Sequence, residues 1–292
     1  MRLRNHNVNA ILSEKEGLAV ASNVVHLPRP AELRTPSRRL GLYFRVARDQ
    51  HKDILDLLAE REAGFHGLVI DAVYSDRHRE LRGEALKRGV DVILDPKTQA
   101  MATPGGHTET LAKLPWALER PHRPSDFAGP AGIERVRGIA EWTVDGGYTQ
   151  VLGPTHLLQS ANDPWLRHDI EMMGALRIAL DGAARDKLLI YPLTISMQML
   201  RDAAQRRAIV SAIGDAPCDA IWLRVENFGS DATGEKTAAY IEACADFRRT
   251  GVPIIADHAG GLPGLGLARI SHTRHGLRRV QAAAPQGAAR KA

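Results

Sequence analysis

The sequence predicts an α/β protein with a parallel sheet covered on both faces, and three observations carry that reading. Short apolar runs recur between residues 40 and 257, amphipathic stretches separate them, and nearly every run stops on charged or hydroxyl-bearing residues. Runs that are apolar on both sides suit strands buried on two faces, as in parallel sheets flanked by helices.

The first run, LGLYFRVA, starts at Leu40. Asp49 is expected to cap a helix in which Ile54, Leu57 and Leu58 recur at helical spacing, with Gly64 ending it. LVIDAV (68–73) is the second strand, followed by a helix through Leu81, Ala85 and Leu86 that stops at Gly89. VDVILD (90–95) is the third. The rhythm then stretches, because residues 96–130 hold six prolines (Pro96, Pro104, Pro115, Pro121, Pro124, Pro130) and no convincing periodicity. Such an insertion reads as a lid or binding loop anchored by Trp116, or as a surface excursion packed on the rim. A helix near 132–145 leads to YTQVLGP (148–154). Helices near 165–180, 198–213 and 234–248 then alternate with KLLIYPLTIS (187–196), CDAIWLRVEN (218–227) and VPIIAD (252–257). The last of these helices places Ala238, Ile241, Cys244 and Ala245 on one face and ends at Gly251.

Seven such units resemble the TIM (β/α)8 barrel over residues 40–267. An open doubly wound sheet is the runner-up. Against it, VARDQH stands where a dinucleotide-binding glycine fingerprint would follow the first strand, and there is no P-loop. The resemblance implies that the strand C-terminal ends share one mouth, where barrel enzymes keep their catalytic groups. IIADHAGGL is also similar to the turn after strand seven in flavin- and sugar-phosphate-binding barrels, often IADGG, with His258 and Ala259 set before the glycine pair. That similarity makes Gly260 and Gly261 phosphate candidates, and a tight turn is the plain alternative.

Composition bounds the rest. An apolar fraction of 44% is ample for a core, and no apolar run reaches the roughly 18 residues that span a bilayer. Cys218 and Cys244 match no zinc spacing, and the N-terminus lacks a signal-peptide core, so a cytoplasmic protein with no membrane partner is expected. The net charge of +5 is unevenly spread: residues 1–39 carry +4, residues 268–292 carry +6, and residues 40–267 carry −5. The expected organisation is therefore a basic arm or linker (1–39), a barrel domain (40–267) with the 96–130 insertion, and a basic, disordered tail (268–292). Basic ends attract phosphate backbones, which makes nucleic acid a candidate partner, but a solvated tail explains them as well.

Closure is the open question. A complete barrel needs an eighth strand between the seventh and the first. The stretch after Gly266 has no run of four apolar residues and no acid, so the eighth strand is expected to be missing. A second copy of the chain, giving a homo-oligomer at the open seam, or residues 18–27 (LAVASNVVHL) would then cover it; a truncated gene is a further explanation.

The strand ends offer a polar set, and side chains two apart on a strand share a face. Asp71, Asp95, Glu226, Asp257 and His258 are the expected catalytic residues. Arg45, Lys97, His156, Tyr191, Arg224, Asn227, Gly260 and Gly261 are the expected substrate-binding ones. Three chemistries fit. The carboxylates with His156 and His258 form a divalent-metal set, although no diagnostic ligand spacing is present. Without a metal, Asp71 or Asp257 acts as base or nucleophile, a histidine moves protons, and Arg224 or Lys97 holds an anion. Lys97 is also placed to form a Schiff base. The cofactor thus stays open between a divalent metal and none, with flavin behind both. Rim charges that merely pair, Arg224 with Glu226 and Asp95 with Lys97, are the bland counterpart. The reading is a barrel enzyme doing acid–base chemistry on a small polar molecule, with phosphate a candidate group on it. The alternative is a non-catalytic or truncated barrel that serves as a scaffold with basic tails.

Overall fold

The computed structural model describes residues 41–60, 64–229 and 232–259, together with the backbone of 280–284. The strands are β1 (Leu42–Val46), β2 (Gly67–Asp71), β3 (Asp91–Asp95), β4 (Gln150–Leu152), β5 (Leu157–Leu158), β6 (Leu188–Ile195), β7 (Ala220–Val225), β8 (Ile254–Ala256) and β9 (Val280–Ala284). Every pairing is parallel, in the order β4-β3-β2-β1-β9-β8-β7-β6, and β4 pairs back onto β6. The two-residue β5 merely extends β6 beyond that ring.

All seven expected units are present, but the empty eighth place is corrected. Val280–Ala284 pairs with β1 through Leu42–Phe44 and with β8 through Ile254–Ala256. VQAAA lacks the β-branched run that marks a strand, yet parallel pairing uses backbone N–H and C=O groups that any of these residues supplies. Residues 18–27 and the remainder of the tail lie outside the described residues.

Among the described residues, eight helices surround the ring: α1 (His51–Ala59), α2 (Arg79–Lys87), α3 (Thr98–Ala102), α4 (Gly129–Asp145), α5 (Pro164–Ala183), α6 (Met197–Arg201), α7 (Ala203–Ile213) and α8 (Gly234–Phe247). The large core lies between helices and sheet. In α8 the buried face is Tyr240, Ala243, Cys244 and Phe247, about a position away from the face read in the sequence, because the two aromatics bury the most area. Asp49 does not cap α1; its carboxylate accepts from Arg77 Nη2 at 3.0 Å. The insertion, expected to be structureless, contains α3 and short 3₁₀ turns at Leu111–Lys113 and Pro124–Phe127. Trp116 does anchor it: the side chain is fully buried, its Nε1 donates to Pro96 O at 2.8 Å, and its ring meets Trp142 edge-on.

A second, smaller apolar cluster fills the inside of the ring: Tyr43, Val69, Ile93, Leu152, Ile190, Trp222 and Ile255. Gly67 is required there, because a Cβ at that position would stand 2.5 Å from the Tyr43 ring. Two residues further along their strands, on the same face, come Arg45, Asp71, Asp95, Pro192, Arg224 and Asp257. Seven strands therefore lay an apolar floor, and five of them then raise a charge above it.

Candidate active site

Three carboxylates and three cations interlock above that floor. Arg45 Nη1 donates to Asp95 Oδ2 at 2.5 Å and to Asp71 Oδ1 at 3.2 Å. Lys97 Nζ lies 3.3 Å from Asp71 Oδ2, and its backbone N–H donates to Asp95 Oδ1 at 2.8 Å. Arg224 Nε donates to Asp257 Oδ2 at 2.5 Å, while the His258 N–H donates to Asp257 Oδ1 at 3.1 Å. All six carboxylate oxygens thus have a partner. Arg45, Asp71, Asp95 and Asp257 are buried, so the pairs sit where unpaired charge is most costly.

Electrostatics sort these groups. Burial opposes ionisation of Asp95, yet Arg45, Lys97 and Arg224 together hold its pKa well below the ordinary carboxylate range. For Asp257 burial is again outweighed, by Arg224, Arg45 and His258. His258 is pushed the other way from its ordinary value, first by burial and then by Arg224, Arg45 and Lys97, against the pull of Asp257. At neutral pH Asp95 and Asp257 are ionised and tied, and His258 is a neutral imidazole with its Nε2 3.8 Å from Asp257.

The backbone is strained around the same mouth. Lys97, Asn227 and His258 have φ of 62°, 58° and 55°, and each stands two residues past the end of its strand. Non-glycine residues held in this region cluster at functional sites.

Beside the carboxylates lies a cavity of about 220 Å³, walled by Asp95, Lys97, Gln99, Thr155, Pro192 and Arg224 among others. Gln99 Oε1 accepts from Arg224 Nη1 at 2.8 Å and from Thr194 Oγ1 at 3.5 Å. Because a guanidinium can only donate, the amide oxygen is the atom turned to it, which leaves the Gln99 NH₂ as a donor. Arg224 keeps N–H groups beyond the two it uses here, and the Lys97 ammonium keeps two of its three. The wall therefore presents an excess of donors.

The structure gathers Asp71, Asp95, Asp257, His258, Arg45, Lys97 and Arg224 as the sequence suggests, and it separates the others. Glu226 and Asn227 are exposed; Arg224 reaches across to Asp257 rather than along its own strand to Glu226, and the Asn227 carbonyl accepts from Lys236 Nζ. Tyr191 faces outward into the helix-side core, because the pleat of β6 turns Ile190, Pro192 and Thr194 inward instead. His156 is buried away from the carboxylates: its Nδ1 pairs with Asp169 Oδ1 at 2.7 Å and its ring stacks on Trp165 at 3.5 Å. Gly260 and Gly261 lie outside the described residues. Gln99 is the functional candidate that the sequence hid, because it meets Arg224 across 125 residues. Among the described residues, no three His, Cys, Asp or Glu side chains are grouped to hold a metal ion. No helix of the described residues is long and apolar enough to cross a membrane.

No family model matches the chain, and no curated protein matches it. Solved structures do. A GH10 xylanase from Thermobacillus composti is 13% identical, with 84% of each chain covered and a TM-score of 0.50. A GH18 chitinase from Pseudoalteromonas aurantia is 9% identical over 84% of this chain and 94% of that one, at 0.51. A putative deoxyribose-phosphate aldolase from Coccidioides immitis is 14% identical over 88% of this chain and 84% of that one, at 0.47. At such identities the likeness is one of fold. With its parallel ring and its helical jacket, the chain is an α/β protein of the TIM-barrel fold, with no specific family shown.

Proposed function

We propose that this is a barrel enzyme that carries out acid–base chemistry on a small, acceptor-rich molecule such as a carboxylate or a phosphate ester. The observation that carries the reading is the donor-rich cavity set against the interlocked charges at the strand ends. Arg224, Lys97 and the Gln99 amide hold the acidic group of the substrate. His258, neutral and half-buried, takes the proton, and ionised Asp257 beside it stabilises the imidazolium that results. Asp95 and Asp71 keep Arg45 and Lys97 in place. Tied carboxylates with depressed pKa values are weak bases on their own, which favours His258 for that step.

The test is a thermal-shift screen of small carboxylates and phosphate esters, with each hit followed by calorimetry. Binding of a hit should fall at least about tenfold in Arg224→Gln, which removes a charge-assisted contact. In His258→Gln binding should persist while turnover is lost. Hits that bind Arg224→Gln as well as the parent would place the site elsewhere.

A further inference from the structure

The cavity at the mouth holds acceptors as well as donors. Three threonines line it: Thr98 and Thr103, at the two ends of α3, and Thr155, after β4. Each has its single hydroxyl proton already committed. Thr98 Oγ1 donates to Thr155 O at 3.1 Å, Thr103 Oγ1 donates to Gln99 O at 2.8 Å, and Thr155 Oγ1 donates to Pro192 O. A carbonyl oxygen only accepts, so the direction of all three bonds is fixed. These hydroxyls keep nothing but lone pairs for a ligand. Asp95 lies on the same wall, and an ionised carboxylate likewise only accepts.

The lining side chains thus divide in two. Lys97, Arg224 and the Gln99 amide donate; the threonines and Asp95 accept. A bare acid satisfies the first set alone. It would cover the second with groups that cannot donate, and those oxygens would lose the bonds that water gave them. A ligand that satisfies both sets carries O–H or N–H donors beside its acidic group. Charge decides between hydroxyl and ammonium. The charged side chains of the lining are Lys97 and Arg224 against Asp95, and Asp95 is also tied to Arg45 at 2.5 Å. That positive surplus repels an ammonium and leaves a neutral hydroxyl undisturbed. A volume of about 220 Å³ lies below the roughly 300–1,000 Å³ of pockets for drug-sized ligands, so the molecule is small.

We propose that the ligand of this cavity is a small hydroxylated acid, a carboxylate or phosphate ester whose hydroxyl groups donate to the threonine oxygens. The inference rests on the acid-binding reading of the same cavity and narrows it. Thr98, Thr103 and Thr155 are then the residues that set specificity, because a site with acceptors in place rejects the analogue that lacks the matching O–H.

The experiment is titration calorimetry on the full chain with two matched pairs, glycerate against propionate and glycerol 3-phosphate against propyl phosphate. The pair that binds tells carboxylate from phosphate. Within it the hydroxylated member should bind at least about fivefold more tightly, the worth of one neutral hydrogen bond. Serine and phosphoethanolamine, with an ammonium in place of hydroxyl, should bind more weakly than the hydroxylated acids. The preference should shrink in at least one of Thr98→Val, Thr103→Val and Thr155→Val, while the affinity of the unhydroxylated partner shows that the cavity is intact. Thr103→Val is the mildest of these, since the Thr103 backbone N–H still donates to Gln99 O at 3.1 Å. Equal affinities within the pairs, tighter binding of the ammonium compounds, or a preference that survives all three variants overturns the inference. Equal affinities leave the acid-binding reading standing; binding by none of the four acids sinks both.

Discussion

His122 is buried within the insertion between Phe127 and His156, and neither of its ring nitrogens has a partner among the described residues. Burial, then His156 and Arg135, push its pKa down to about 3. The unfolded chain protonates this ring below about pH 6.5, whereas the folded chain does not until far lower. A lowered histidine pKa gives stability that is complete above the unfolded value and lost as pH falls below it. Stability should drop by on the order of 2 kcal/mol through this residue between pH 6.5 and 4. His122→Phe keeps the ring volume without the titration. Urea midpoints at pH 6.5, 5 and 4 should therefore fall less steeply in the variant, and parallel slopes would refute the assignment. At this scale the sequence was half legible. The charged strand ends suggested Asp71, Asp95, Glu226 and Asp257 as one group; the structure brings the three aspartates together and leaves Glu226 exposed, because a buried charge that ends an apolar run has few places to go and an exposed one has many. The sequence did not show which way Tyr191 turned, since the pleat of β6 is set by its pairing, nor that Gln99 would meet Arg224.

Elements were easier to read than their ends. Seven strands announced themselves through two-sided burial, but α8 showed its aromatic face only once packed, and the insertion hid its short helix. That insertion is held by aromatic contacts at two places: Trp116 against Trp142, and His122 and Phe127 against His156 and Trp165. Trp116→Ala removes one of them together with the bond to Pro96 O, and should cost about 3–5 kcal/mol, as for other buried aromatics. The loss belongs to the insertion more than to the ring. Limited proteolysis should then cut first between residues 103 and 128 while the strands stay protected. Unchanged cleavage would show that the insertion is held by its other contacts alone.

At the scale of the molecule, the sequence carried the fold class, and the closing strand was its blind spot. Closure by Val280–Ala284 joins the chain's last described segment to its first, β1, and supplies both neighbouring strands with partners for their backbone groups. The composition of VQAAA carries no sign of that duty, because the ring needs a backbone there more than it needs any particular side chain.

The interlocked charges at the mouth have a thermodynamic consequence of their own. An anion that enters bonds to the N–H groups that Arg224 and Lys97 still have to offer, but it also adds a negative charge beside cations that are already shared with buried carboxylates. That charge offsets Arg224 and Lys97, which oppose protonation of His258, so the imidazole gains affinity for a proton. Occupancy is thereby linked to hydrogen-ion uptake, and affinity for an acidic ligand should rise as pH falls from 7 toward 5. Titration calorimetry in buffers of different ionisation enthalpy reads this directly, as an uptake of up to about one proton per ligand bound. Heats that do not change with the buffer would mean that the ligand binds without moving a proton.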